Sequence, residues 1–224
     1  MLSPYRRVLS LPGAIAFSGA AFVARMPISM LSLGIVLLVA GRTGSYGYAG
    51  GIAAAYILAN AVAAPVQGRL TDRLGQARVL PVSITAFGVA LAALMAAVQG
   101  DAPVPLPHLI AVLVGVALPQ VGSSVRARWA HLLRERPQRQ RDLHTAYAFE
   151  SVVDEAIFIT GPVLVTLLAT AVHPLAGLSA ALVAAVSGTF LLAAQRSTEP
   201  PVDRRAHAGD AREPLGWRIL LPVA

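Results

Sequence analysis

The sequence has no cysteine and no lysine among its 224 residues. Without cysteine there is no disulfide, no thiolate metal site and no cysteine nucleophile. Charge of any kind is scarce: 13% of the residues are charged and 56% are hydrophobic. An ordinary soluble domain carries roughly a quarter charged residues, so this composition excludes that class and points to an integral membrane protein. The ~10-residue alternation of an outer-membrane barrel is also missing, which leaves an all-α chain. The net charge of +7 would suit a nucleic-acid binder. The arginines, however, cluster between apolar runs as membrane topology requires, and no nucleic-acid partner is expected. There is no glycine-rich phosphate loop, and His108, His131, His144, His173 and His207 show no metal-ligand spacing. No metal and no cofactor is expected. Adjacent Asp154 and Glu155 would suit a membrane protease only with a facing histidine pair, which is absent, so no enzyme is expected.

What is present is apolar length. Six runs suffice to cross a bilayer, which takes about 20 helical residues: 13–40, 47–69, 78–99, 107–130, 145–172 and 174–195. A seventh begins at Trp217 and stops at Ala224. The first run continues past Arg25 to Ala40, which is too long for the apolar core of a signal peptide. Arginine sets the orientation. Arg6 and Arg7, then Arg69, Arg73 and Arg78, then Arg126 to Arg141, then Arg196 to Arg212 mark alternate loops. The intervening loops hold Arg42 alone or no arginine. The N-terminus and the segment after helix 6 are therefore expected in the cytoplasm. Residues 1–196 read as a six-helix bundle, 197–216 as a flexible, proline- and charge-rich linker, and 217–224 as the start of a helix 7. Pro27, Pro65, Pro119 and Pro162 fall inside the expected helices and can kink them. Helix 2 is rich in glycine and alanine, which permits close helix approach, either as general packing or as a sliding surface for a second bundle.

Residues 68–80 interrupt this apolar pattern with two glycines, one acid and three arginines. Gly68, Leu70, Asp72, Arg73, Gly75 and Leu80 occupy the fixed positions of Gly-x-Leu-x-Asp-Arg-x-Gly-x-x-x-x-Leu. The stretch resembles the loop signature of the major facilitator superfamily of transporters. The family pattern has basic residues straight after its second glycine, where this chain has Gln76 and Ala77, followed by Arg78. The resemblance implies an N-terminal six-helix half built as a 3+3 inverted repeat, although no sequence repeat is visible. It also implies that Gly68, Asp72, Arg73, Gly75 and Arg78 form a cytoplasmic gating latch. The plainer reading of these residues is a tight, charged turn that anchors topology. Gly161 and Pro162 resemble part of the family's proton-antiporter signature, but Val163, Leu164 and Val165 replace the glycines expected next. Gln120 matches part of an antiporter pattern on helix 4, where Ala117 and Val121 depart from it.

Ionisable groups at membrane depth cost about 2.5–3.5 kcal/mol each on insertion scales, so they pair or line a wet cavity. Arg25 lies roughly 18 Å into helix 1, and Asp154 and Glu155 roughly 14 Å into helix 5. Glu150 shares a face with Asp154 and is counted level with Arg126. Two layers are expected: Arg25 with Asp154 or Glu155, and Arg126 or Arg128 with Glu150. They form either a structural ion network or a proton site, with Asp154 the first candidate and Glu155 the second. The expected function is proton-coupled efflux of a small, partly apolar molecule by alternating access in a bacterial inner membrane. The expected partners are the lipid bilayer, a small-molecule substrate, a proton, and a C-terminal half or a second copy. The competing expectation is a non-transporting truncated fragment or a six-helix partner protein.

Overall fold

The computed structural model describes residues 3–202. The expected helix 7 at 217–224 and most of the expected linker lie outside the described residues. Eight α-helices follow in order: α1 Ser3–Leu9, α2 Ala14–Thr43, α3 Tyr46–Leu74, α4 Gln76–Gln99, α5 Pro105–Ala117, α6 Val121–Leu132, α7 Arg139–Ala171 and α8 Ala176–Ala194. A single 3-10 turn closes them at Arg196–Thr198. No strand occurs among the described residues. Six stretches are long and apolar enough to cross a membrane, with α5 and α6 together forming the fourth. Fold class and span count agree with the sequence reading, because both rest on apolar length and on backbone groups that lipid forces to pair internally.

The packing carries the repeat that the sequence hides. Helix α3 packs on α5 and α7 on α2; α4 packs on α5 and α8 on α2; α2 packs on α3 and α6 on α7. Exchanging the first three spans for the last three maps this pattern onto itself. Three is odd, so the second triplet enters the membrane from the opposite side, which makes the repeat inverted. Close approach depends on a few glycines. A methyl at Gly188 of α8 would overlap the backbone of Ala24 on α2, and one at Gly115 of α5 would overlap the Tyr56 carbonyl on α3. Large side chains fill both ends of the bundle. Phe87, Leu91, Ile35 and Ile52 are buried toward the arginine-poor end, and Phe17, Trp129 and Leu133 toward the arginine-rich end.

Three boundaries and one proline differ from the expectation. Residues 3–9 form a helix rather than a tail, held through buried Val8 and through Arg7, which donates to Gln138 at 2.9 Å. Helix α7 begins at Arg139 rather than near residue 145. The fourth span is broken, and Pro119 stands in the break rather than inside a helix. Proline lacks an N–H, and Leu118 before it is forced into an extended conformation (φ −61, ψ 114). Carbonyls orphaned there must find partners, since lipid offers none. Gln67 of α3 donates to the Val116 carbonyl. Gln120 donates to Asn60 at 3.0 Å and to the Leu118 carbonyl at 3.3 Å. Finally, α4 carries a proline of its own, Pro81, beside Pro27, Pro65 and Pro162 in α2, α3 and α7.

The interrupting stretch 68–80 is almost entirely helical. Its turn is one residue, Gly75, at φ 89 and ψ 151. Essentially only glycine adopts that conformation. Gly68 is different: it lies inside α3, and a methyl there would meet nothing within 4 Å. The expectation that both glycines serve the turn therefore holds for Gly75 and fails for Gly68. Gly75→Ala should lower stability in detergent by about 1–3 kcal/mol, read as a fall in the thermal midpoint of helical circular dichroism. The new methyl would also sit 3.1 Å from Glu199 Oε1 and from Val202 Cγ2.

Candidate functional site

Three helices bring polar residues together at helical spacing. Ser18 and Arg25 lie seven apart on α2, Glu150 and Asp154 four apart on α7, and Arg126 and Trp129 three apart on α6. Each pair falls on one face of its helix. Arg25 Nη2 donates to Glu150 Oε2 at 2.5 Å, and Nη1 to Asp154 Oδ1 at 2.7 Å. Its Nε donates to the Ala21 carbonyl at 3.1 Å, which locks the guanidinium against its own helix. Glu150 Oε1 also accepts from Ser18 Oγ at 2.8 Å and from Trp129 Nε1 at 2.7 Å. The Trp129 ring is held edge-on against Phe17 at 4.7 Å between centroids. Arg126 Nη2 donates to Asp154 Oδ2 at 3.0 Å. The result is a chain of alternating charge, Glu150–Arg25–Asp154–Arg126, with two cations and two anions.

This chain corrects the two expected layers. Arg25 does meet Asp154, but its second partner is Glu150, not Glu155. Arg126 meets Asp154 rather than Glu150. Arg128 joins neither acid. The reason is the origin of the depth count: α7 starts at Arg139 instead of Thr145, which adds about 9 Å of helix and places Glu150 deeper than counted. Glu155 is exposed on another face of α7, so the network holds two acids and two arginines.

Burial grades the members. Arg25 and Glu150 are 2% and 0% exposed, whereas Asp154 and Arg126 are 29% and 45% exposed. Glu150 accepts three hydrogen bonds, from Arg25, Ser18 and Trp129, so both of its carboxylate oxygens are engaged. Among the described residues Asp154 is held by the two arginines alone, and it is partly exposed.

Gly161 and Pro162 lie within an unbroken α7, where a methyl on Gly161 would overlap Ser29 of α2. Ser29 Oγ donates to the Ile157 carbonyl at 2.9 Å, beside the proline. The pair thus marks a close approach of α7 to α2, beyond the charged chain.

A second polar centre lies toward the arginine-rich face, and the sequence reading did not find it. Arg128 of α6 is fully buried. Its Nε donates to Gln76 Oε1 at 2.7 Å, its Nη1 to the Gln195 carbonyl and Thr198 Oγ1 at 2.7 Å each, and its Nη2 to the Leu192 carbonyl at 3.0 Å. The carbonyls belong to the C-terminus of α8, whose partial negative charge stabilises a cation. Gln76 Nε2 donates in turn to the Ser124 carbonyl at 2.9 Å. This accounts for the departure from the family pattern at position 76, where a basic side chain would press a like charge onto Arg128. Glu199 Oε1 accepts from the Ala77 backbone N–H at 2.8 Å and caps α4. The first residues of the expected flexible linker are therefore packed structure, with Thr198 buried. The only signal in the sequence was the unusual glutamine.

Of the gating-loop candidates, Asp72, Arg73 and Arg78 are exposed and form no ion pair among the described residues. The arginine-poor end is closed differently. Arg42 grips Asp101 with two bonds, at 3.0 and 2.6 Å, and Tyr48 donates to the Val104 carbonyl at 3.3 Å.

Six membrane-length helices, an inverted repeat and a charged chain on its central helices converge on one class of protein. Residues 17–223 match the family model described as Major Facilitator Superfamily. No curated protein and no solved structure matches the chain. The match covers nearly the whole chain, and with the six apolar helices it identifies an integral membrane protein that belongs to the major facilitator superfamily of transporters.

Proposed function

We propose that the chain takes part in proton-coupled efflux of a small, partly apolar molecule, by alternating access in a bacterial inner membrane. In this reading residues 1–196 are the N-terminal bundle, and the N-terminus and the arginine-rich face are cytoplasmic. A second six-helix bundle, either a C-terminal half or a second copy, completes the path. Support for such a partner comes from α3 and α7. Leu58, Val62 and Val66 on α3 and Phe158, Ile159 and Val163 on α7 are exposed, and Gly68 faces open space.

The observation that carries the proposal is the uneven burial of the charged chain. Glu150 and Arg25 form a sealed pair that fixes α2 against α7. Asp154 ties that pair to Arg126 on α6 and remains reachable. A proton on Asp154 removes the charge that holds Arg126, so α6 loosens from α7 while the buried pair stays intact. That couples protonation to movement between the fourth and fifth spans. Glu155, exposed one residue further along α7, is the second candidate for the proton.

The test is efflux in inverted vesicles with an imposed proton gradient, using Asp154→Asn and Glu155→Gln variants. Asp154→Asn should abolish the dependence on the gradient and retain gradient-independent exchange, while Glu155→Gln changes the rate by less than about threefold. Gradient-driven efflux by Asp154→Asn at the parental rate would overturn the role of Asp154. No flux from the parent chain, alone or joined to a second bundle, would favour the non-transporting reading.

A further inference from the structure

The latch residues Arg73 and Arg78 leave a feature that transport does not use. Together with Arg196, after α8, they line a cavity of about 440 Å³ at the arginine-rich face, between the Gly75 turn and the strip Glu199–Val202. All three arginines are exposed, and none meets a carboxylate among the described residues. The one acid in the wall, Glu199, is engaged with the Ala77 N–H. The wall therefore carries three positive charges against one negative charge. The rest of it is apolar: Leu74, Pro200, Pro201 and Val202.

We propose that this cavity binds the headgroup phosphate of an anionic phospholipid, with the acyl chains lying along α3 and α4. Three features fit that ligand, and the last two separate it from a soluble phosphate compound. Guanidinium groups pair with phosphate oxygens bidentately, and three around one cavity exceed what topology alone requires. The cavity opens where two membrane spans end, the level at which lipid phosphates lie, and basic pockets between spans on this face suit anionic headgroups. Exposed Leu70 and Val82 lie one helical turn further into the membrane spans from Leu74 and Arg78 of the wall, which gives an arginine rim above an apolar face. The site joins the α3–α4 turn to the segment after α8, so an occupied headgroup would clamp these two parts of the chain. This inference rests on the orientation proposed above, with the arginine-rich face cytoplasmic, and it is independent of the proton and the substrate.

The experiment is native mass spectrometry of the full chain in detergent, titrated with short-chain phosphatidylglycerol or phosphatidylcholine. The parent should retain phosphatidylglycerol about tenfold more tightly than phosphatidylcholine. Arg73→Ala/Arg78→Ala/Arg196→Ala should lose that preference with an unchanged circular-dichroism melt. Arg6→Ala/Arg136→Ala/Arg141→Ala, which removes equal charge outside the cavity, should keep it. Glu199→Gln keeps an oxygen for the Ala77 N–H but removes the negative charge, and should bind phosphatidylglycerol more tightly than the parent. Equal loss in both triple variants, or no change in Glu199→Gln, would reduce the effect to diffuse attraction and overturn the site. Displacement of the lipid by millimolar inorganic phosphate would assign the cavity to a soluble phosphate compound and overturn the lipid.

Discussion

Arg25→Met should destabilise the detergent-solubilised protein by about 3–5 kcal/mol, the cost of leaving a buried charge without its partner. Among the described residues Arg25 is the only cation bonded to Glu150, which is fully buried. Asp154 keeps Arg126, so the loss falls on the Glu150 end of the chain. The companion variant is Arg25→Met/Glu150→Gln. Glutamine retains a side-chain oxygen for Ser18 and Trp129, which would otherwise lose their acceptor. The double variant should be more stable than Arg25→Met by about 2 kcal/mol or more, a coupling expected for residues in one network. Circular-dichroism melts with Trp fluorescence as a second probe would read both. Additive losses in the double variant would mean that the two side chains do not share a buried ion pair.

Gly188→Leu should have an effect of similar size for a steric reason. A Cβ at this position has no room against the backbone of Ala24, and backbone cannot rotate away as a side chain can. The α2–α8 contact must open, which should cost about 3 kcal/mol or more, at the upper end for overpacked cores. Gly19→Ala is the control on α2, where a methyl meets nothing within 4 Å. It should be neutral or stabilising by up to about 1 kcal/mol, since alanine is the better helix former. Equal behaviour of the two variants in a thermal melt would refute the close contact. Gly68→Ala, in equally open space on α3, should behave like Gly19→Ala.

The contrast between Gly68 and Gly75 shows how far a sequence pattern reaches. Both occupy fixed positions of the family signature, and the pattern treats them alike. In the bundle Gly75 has a backbone conformation that demands glycine, whereas nothing among the described residues demands it at Gly68. Asp154 and Glu155 make the same point for charge. Adjacent in sequence and equal in apparent depth, they separate by about 100° around the helix, and one meets two arginines while the other is left exposed on the bundle surface. Depth along a helix can be counted from sequence, but only from a correct starting residue, and the early start of α7 at Arg139 moved every partner of Glu150.

Apolar length and the sparseness of charge determine by themselves that this is a helical membrane protein with six candidate spans among the described residues, because a bilayer acts on each segment separately. The signature at residues 68–80 adds the family for the same reason, as local chemistry at a single turn. Partners across helices are another matter. That Arg25 bridges Glu150 and Asp154, that Arg128 is held by the end of α8, and that Gln67 and Asn60 mend the break before Gln120 all depend on rotation, depth and close approach between distant segments. No single segment carries those quantities. They arise only when small residues such as Gly188 and Gly161 let the helices meet, and tertiary packing then decides which charges are sealed and which stay exposed.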